Sequence, residues 1–202
     1  MKHLNTLKGL LLTLLLVCSG IVYAHDFEVN GVYYNILSET DKTVEVTFKG
    51  NSYSEYSNEY TGSVTIPQTI RYYGVTYKVT RIGEDAFLAC RNLTSISIPN
   101  SVISVGDGAF GSTAWYDNQP IGAVYVGKVL YKYKATISVD TNIVLEEGTL
   151  GIADHAFYEC KSLTAITLSA SLINIGESAF FGCKGLKSIE IPNSVTTIAM
   201  IL

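Results

Sequence analysis

The chain has 202 residues, 48% of them hydrophobic, 16% charged and 11% aromatic, with a formal net charge of −4. The full apolar fraction excludes a disordered tail protein, and an acidic balance with no run of Lys or Arg excludes a nucleic-acid partner held through phosphates. Fourteen Tyr and 17 Gly against 4 Pro favour strands and turns over helices.

The first 24 residues read as a leader. Lys2, His3 and Lys8 give a positive start, and Leu10 to Val17 is an apolar run broken only by Thr13. Val22 and Ala24 then stand three and one residues before a cut ahead of His25. This is the layout of a secretory signal peptide. The apolar run falls short of the ~20 residues of a spanning helix, and no later segment reaches that length. Cleavage leaves Cys90, Cys160 and Cys183. Three thiols cannot all pair within one chain, so no disulfide framework is expected despite export.

Residues 25–78 are expected to form a β-rich cap. Val32 to Ile36 and Thr43 to Phe48 read as strands joined by a polar turn, and Tyr72 to Tyr77 as a small hairpin. Val64-Thr65-Ile66-Pro67 imitates the strand of the repeat that follows, so the first coil is expected to start there.

From 79 to 202 the sequence repeats itself. Ala156, Phe157, Cys160, Leu163, Ile166 and Leu168 return 23 residues later as Ala179, Phe180, Cys183, Leu186, Ile189 and Ile191. The same frame fits Ile82, Gly83, Ala86, Phe87, Cys90, Leu93, Ile96 and Ile98 upstream, and Val105, Gly106, Ala109 and Phe110 between. Ile96 and Ile98 alternate with Ser95 and Ser97, so each coil carries a short strand with one buried side. Pro99 ends that strand, because proline cannot donate to a continuing ladder. Coils stacked about 4.8 Å apart would bury Phe87, Phe110, Phe157 and Phe180 in one column. Residues 111–140 break the frame and read as an insertion. Within it Val124 to Val126 and Val129 to Tyr131 flank Gly127-Lys128, a hairpin pattern. The last coil runs out in mid-repeat at Ile198-Ala199-Met200-Ile201-Leu202, apolar enough to expect further chain or a stacking partner there.

The pattern Leu-x-x-Ile-x-Ile-Pro-x-x-Val-x-x-Ile-Gly-x-x-Ala-Phe-x-x-Cys resembles the BspA-like leucine-rich repeat class of bacterial cell-surface proteins, over residues 82–199. The resemblance implies a β-rich leucine-rich repeat solenoid. Its parallel sheet would lie on one face, short helical or 3-10 turns on the other, and a β-hairpin cap at the N-terminus. It also implies a secreted or surface location, and some members are associated with adhesion to matrix proteins. It brings no catalytic residues.

The residues themselves offer little chemistry. His155 occupies the slot held elsewhere by Asp85, Gly108 and Ser178, which reads as a solvated turn. A metal set with Asp154, Glu159 and Cys160 lacks the usual ligand spacing. The three Cys share one repeat slot, filled by Thr113 in the second coil, and read as small buried spacers. Glu146-Glu147 do not resemble a sugar-cleaving pair, and phosphate loops and nucleophile elbows are missing. No catalytic residue, metal or cofactor is therefore expected. Candidate partner contacts are the aromatics of the insertion, Trp115, Tyr116, Tyr125, Tyr131 and Tyr133, because insertions in repeat proteins map to one face. Ser97, Thr167 and Glu190 join them on the exposed side of the repeat strands. The expected function is non-catalytic binding of protein or glycan at the cell exterior, of adhesion type. The alternative is a structural spacer or a fragment of a larger surface protein.

Overall fold

Short apolar–polar alternations, each cut off by a turn, build strands of two to eight residues and a single four-residue helix among the described residues, 25–50, 58–134 and 141–199 of the computed structural model. The leader read at 1–24, residues 135–140 of the expected insertion and the apolar end 200–202 lie outside them. The chain opens with β1 (Phe27–Val29), β2 (Val32–Ser38), β3 (Thr43–Thr47) and β4 (Gly62–Thr65). A hairpin of β5 (Thr69–Tyr72) and β6 (Val75–Ile82) leads to β7 (Leu93–Ser97) and β8 (Ser104–Val105). Helix α1 (Ala114–Asp117) precedes a second hairpin, β9 (Gly122–Val126) and β10 (Val129–Lys134). Then come β11 (Thr141–Val144), β12 (Gly151–Ile152), β13 (Leu163–Thr167), β14 (Asn174–Ile175) and β15 (Thr197–Ile198).

The 23-residue spacing becomes a parallel ladder in each of two sheets, β3-β6-β8 and β10-β12-β14-β15. Ile82 of β6 lies opposite Val105 of β8, Ile152 of β12 opposite Ile175 of β14, and Ile175 opposite Ile198 of β15. One hydrogen bond repeats along both: Gly106 N–H to Ile82 O at 2.9 Å, Gly176 N–H to Ile152 O at 2.8 Å, Ala199 N–H to Ile175 O at 2.9 Å. Gly106 and Gly176 allow this approach. A Cβ at Gly106 would run into the backbone nitrogen of Glu84, and one at Gly176 into that of Asp154. The first ladder also reaches further back than Val64. β3 pairs parallel with β6, Val46 opposite Ile82, and Gly83 N–H donates to Val46 O at 2.8 Å. A second set of parallel pairs joins β4 to β7 and β11 to β13, with Val64 opposite Ile96 and Ile143 opposite Ile166.

The corner carrying the Ala-Phe pair is not helical. Two residues per coil hold left-handed backbone there: Asp85, Gly108, His155 and Ser178 in one slot, Ala89, Ser112, Glu159 and Gly182 in the next. Left-handed residues interrupt any helix and turn N–H groups toward the following coil. Phe87 N–H reaches Ala109 O at 2.8 Å and Phe157 N–H reaches Ala179 O at 2.8 Å. The expected helical or 3-10 turns are thus replaced by non-helical turns that form inter-coil bonds.

Within the stretch 111–140, expected as an insertion, the described residues 111–134 lead through β10 into the second ladder. α1 packs beside β7, and the chain then returns through the β9–β10 hairpin. β10 pairs parallel with β12, Leu130 opposite Ile152, and Ala153 N–H donates to Leu130 O at 2.9 Å. This coil is short. Five residues separate Ile82 from Phe87 and Ile152 from Phe157, but only three separate Leu130 from Tyr133, whose N–H makes the same bond to Ala156 O at 3.0 Å. Among the described residues, two hydrophobic cores result. One runs from Phe27 and Tyr34 through Phe87 and Phe110 to Tyr131, and the other from Leu130 through Phe157 to Ala179.

Candidate functional site

The column expected from four phenylalanines is two stacks, each ended by tyrosine. Phe87 and Phe110 are parallel, with centroids 5.1 Å apart, and Tyr60 extends that stack at 4.7 Å from Phe87. Phe157 and Phe180 are parallel at 5.3 Å, and Tyr133 lies on Phe157 at 5.8 Å. Between the stacks, Tyr131 meets Phe110 edge-on at 5.2 Å. Its hydroxyl accepts the Phe110 N–H at 3.1 Å, where the regular coils supply an alanine carbonyl.

The aromatics of 111–140 therefore do not gather into an open patch. Tyr131 is 4% exposed and is withdrawn as a partner contact, since a coil two residues short needs its long side chain inside. Trp115 leans on Phe110 at 4.9 Å, and Tyr116 meets Tyr131 edge-on at 5.5 Å. Burial pushes the phenols of Tyr116 and Tyr131 up. Tyr133 is half-buried on Phe157, and the Tyr125 hydroxyl accepts the Glu146 N–H at 2.9 Å. Thr113 ends the regular coil by capping α1, its hydroxyl accepting the Tyr116 N–H at 3.1 Å. Lys134 holds the far end, donating to the carbonyls of Tyr116, Asp117 and Gln119 at 2.8–2.9 Å.

The outward side of the repeat strands is open. Ser97, Thr167 and Glu190 are exposed, as are Ser63, Thr65, Ser95, Asn142 and Ala165. Val144 stands among them at 66% exposure. The strip is uncharged from β4 to β13 and acquires a charge only at Glu190.

Two exposed aromatics that sequence reading passed over stand at the repeat corner, while a third, Tyr73 at 90% exposure, stands at the β5–β6 turn. Tyr158 and Phe181 follow the inward Phe157 and Phe180, occupy one slot 23 residues apart, and stack at 5.3 Å with an 11° tilt. They remain 47% and 38% exposed. The signal was present in the doublets Phe157-Tyr158 and Phe180-Phe181, because neighbours in an extended corner face opposite ways. His155 flanks them, 5.0 Å from Tyr158. It is half-buried and left-handed, not merely solvated, and its Nδ1 lies 3.6 Å from an Asp107 carboxylate oxygen that Lys132 also approaches at 3.6 Å. The slot it shares favours residues that tolerate positive φ, which explains Asp, Gly and His there. Beside it Arg81 bridges coils, 3.4 Å from Glu45 and 3.3 Å from Asp154. Burial pushes the Asp154 carboxyl up, offset in part by the Glu177 N–H at 2.7 Å and by Arg81.

Cys90 is buried, as a spacer should be, while Cys160 and Cys183 are only half-buried. Among the described residues, no group of three or more His, Cys, Asp or Glu is placed to hold a metal ion. No described helix is long and apolar enough to cross a membrane.

The sequence pattern of the BspA type leucine rich repeat region matches residues 51–118 and 130–200, in six copies. The match resumes at Leu130, the residue that enters the second ladder from the hairpin. Among solved structures, the chain is similar to a leucine-rich repeat protein from Bacteroides ovatus, with 26% identity and a TM-score of 0.36, covering 86% of this chain and 49% of that one. It is similar also to a leucine rich cell surface protein from Faecalibacterium prausnitzii, with 25% identity and a TM-score of 0.41, covering 86% and 50%. A leucine-rich repeat protein from Bacteroides capillosus is similar at 24% identity and a TM-score of 0.34, covering 87% and 97%. The chain spans about half the length of the first two. No curated protein matches it.

Proposed function

Because the chain belongs to the BspA-type leucine-rich repeat family, whose members are bacterial surface proteins with binding repeats, we propose that it is an exported, non-catalytic adhesion module that engages protein or glycan outside the cell. The N-terminal strands close one end of a solenoid, and the coils present the contact surface. One observation carries the choice of surface: Tyr158 stays 47% exposed although coils flank it on both sides, and it stacks with Phe181. Aromatic anchors dominate binding energy at most interfaces. A second reading places the partner on the strand strip of Ser97, Thr167 and Glu190, and the 66% exposure of Val144 at its middle favours it. Trp115 and Tyr116 serve either surface only as support.

The test uses immobilised extracellular-matrix protein and a glycan array. Tyr158→Ala with Phe181→Ala should leave the fold intact and weaken binding at least tenfold, about 1.4 kcal/mol. Ser97→Arg with Thr167→Arg should act instead if the strip is the contact. A chain that binds in neither assay is a spacer. Export is tested separately. Mass spectrometry of secreted protein should find His25 at the N-terminus, and an intact Met1 on the exported chain would refute cleavage after Ala24.

A further inference from the structure

Cys160 and Cys183 occupy the same slot of adjacent coils, and the chain brings them together through a shared acceptor. The Phe157 carbonyl accepts the Cys160 N–H at 3.0 Å and the Cys183 thiol at 3.2 Å. The Cys183 side chain therefore points back across the gap between coils, toward the turn that carries Cys160. On either side, Phe157 N–H to Ala179 O at 2.8 Å and Glu159 N–H to Phe181 O at 2.7 Å clamp the two turns at ladder distance. A ladder step of ~4.8 Å falls inside the roughly 4.4–6.8 Å between Cα atoms that a disulfide spans. Both residues are half-buried, so a small reagent reaches them. Cys90 differs on each count: it is buried, and its neighbour in the next coil is Thr113, which has no thiol.

We propose that Cys160 and Cys183 form an oxidisable dithiol, a modification site that closes to an intrachain disulfide and staples the two coils. The oxidant is a low-molecular-weight disulfide. A Cys160 thiolate attacks one of its sulfurs, and the other sulfur leaves as a thiolate. The Cys183 thiolate then attacks the Cys160 sulfur of the mixed disulfide and displaces the second reagent thiolate. The two protons from the cysteines end on the two released thiols, so one disulfide forms as another is reduced. Burial, and then Cys160 itself, push the Cys183 thiol up to about 11, and burial pushes Cys160 up. The exchange is accordingly slow at neutral pH and quickens as pH rises. The proposal stands apart from the binding reading, since it requires no partner.

The experiment incubates the folded full chain with oxidised glutathione at mildly alkaline pH and reads intact mass and a non-reducing peptide map. The expected product has lost about 2 Da, carries a Cys160–Cys183 cross-linked peptide, and leaves Cys90 free to alkylate after denaturation. Cys160→Ser and Cys183→Ser, conservative in a slot that Thr113 already fills, should each abolish the cross-link and leave a stable glutathione adduct on the surviving partner. Persistent glutathione on both Cys160 and Cys183 of the unmutated chain would refute the pairing. So would a cross-link to Cys90, or no reaction in the folded chain under conditions that oxidise the unfolded one.

Discussion

The stack of Phe157 and Phe180 and the junction at Tyr131 perform one task by different means. In the regular coils, each phenylalanine covers the next, and its N–H bonds to an alanine carbonyl 22 residues on, as Phe157 does to Ala179. At the junction the spacing is short by two residues, so the Phe110 N–H finds no such carbonyl and takes the Tyr131 hydroxyl. The ring then turns edge-on at 86° to fit. A periodic array absorbs a missing half-turn of chain by exchanging a backbone acceptor for a side-chain one. That explains why a tyrosine with a buried phenol stands where the repeat would carry glycine.

The comparison breaks most visibly at the rings. Phe157→Ala should cost about 3–5 kcal/mol through lost burial and a cavity, whereas Phe180→Ala, at a half-buried position, should cost clearly less. Denaturant midpoints measure both, and equal losses would mean that the two coils are not packed as described. Tyr131→Phe keeps the ring but strands the Phe110 N–H, and it should cost about 1–3 kcal/mol. The same substitution at Tyr133 should cost less, because its half-buried ring stacks on Phe157 and its backbone N–H has an ordinary partner. A Tyr131→Phe variant as stable as the parent would show that the hydroxyl bond carries nothing.

A pH effect arises beside the first core, where Glu59 precedes the buried Tyr60. Burial pushes the Glu59 carboxyl from 4.5 up to about 7, although both oxygens accept the Lys49 N–H at 3.1 Å. The folded chain thus binds this proton more tightly than the unfolded one. The stability it contributes is fully present below about pH 4.5 and is lost as pH rises through about 7. Glu59→Gln should flatten that decline across the window, as read by thermal melts at stepped pH. An unchanged profile would assign the decline to other groups.

Recurrent burial was the legible part of this molecule. Ala-Phe, the rung Ile and the Cys slot recur because each coil must present the same apolar surface to the next, so spacing alone reveals them. The left-handed slot was half legible. Asp85, Gly108 and His155 all tolerate positive φ, yet their chemical variety suggested only exposure. The aromatics of 111–140 misled because composition marks a cluster without saying which way it faces. Whether Trp115 and Tyr131 point in or out depends on the length of the coil beneath them.

From its sequence alone, this chain specifies a 23-residue repeat, a strand that proline stops, and membership of the BspA-type leucine-rich repeat family. Those follow from periodicity and local stereochemistry, which neighbouring residues express by themselves. Tertiary structure decided that β3 supplies the first described rung of one ladder and that Leu130 enters the other. It also decided that Tyr158 and Phe181 stay partly outside as a stack, and that Cys160 and Cys183 meet at the Phe157 carbonyl. Each of these turns on how far one coil is displaced against the next. That displacement is set by the packing of residues distant in sequence, which no local pattern records.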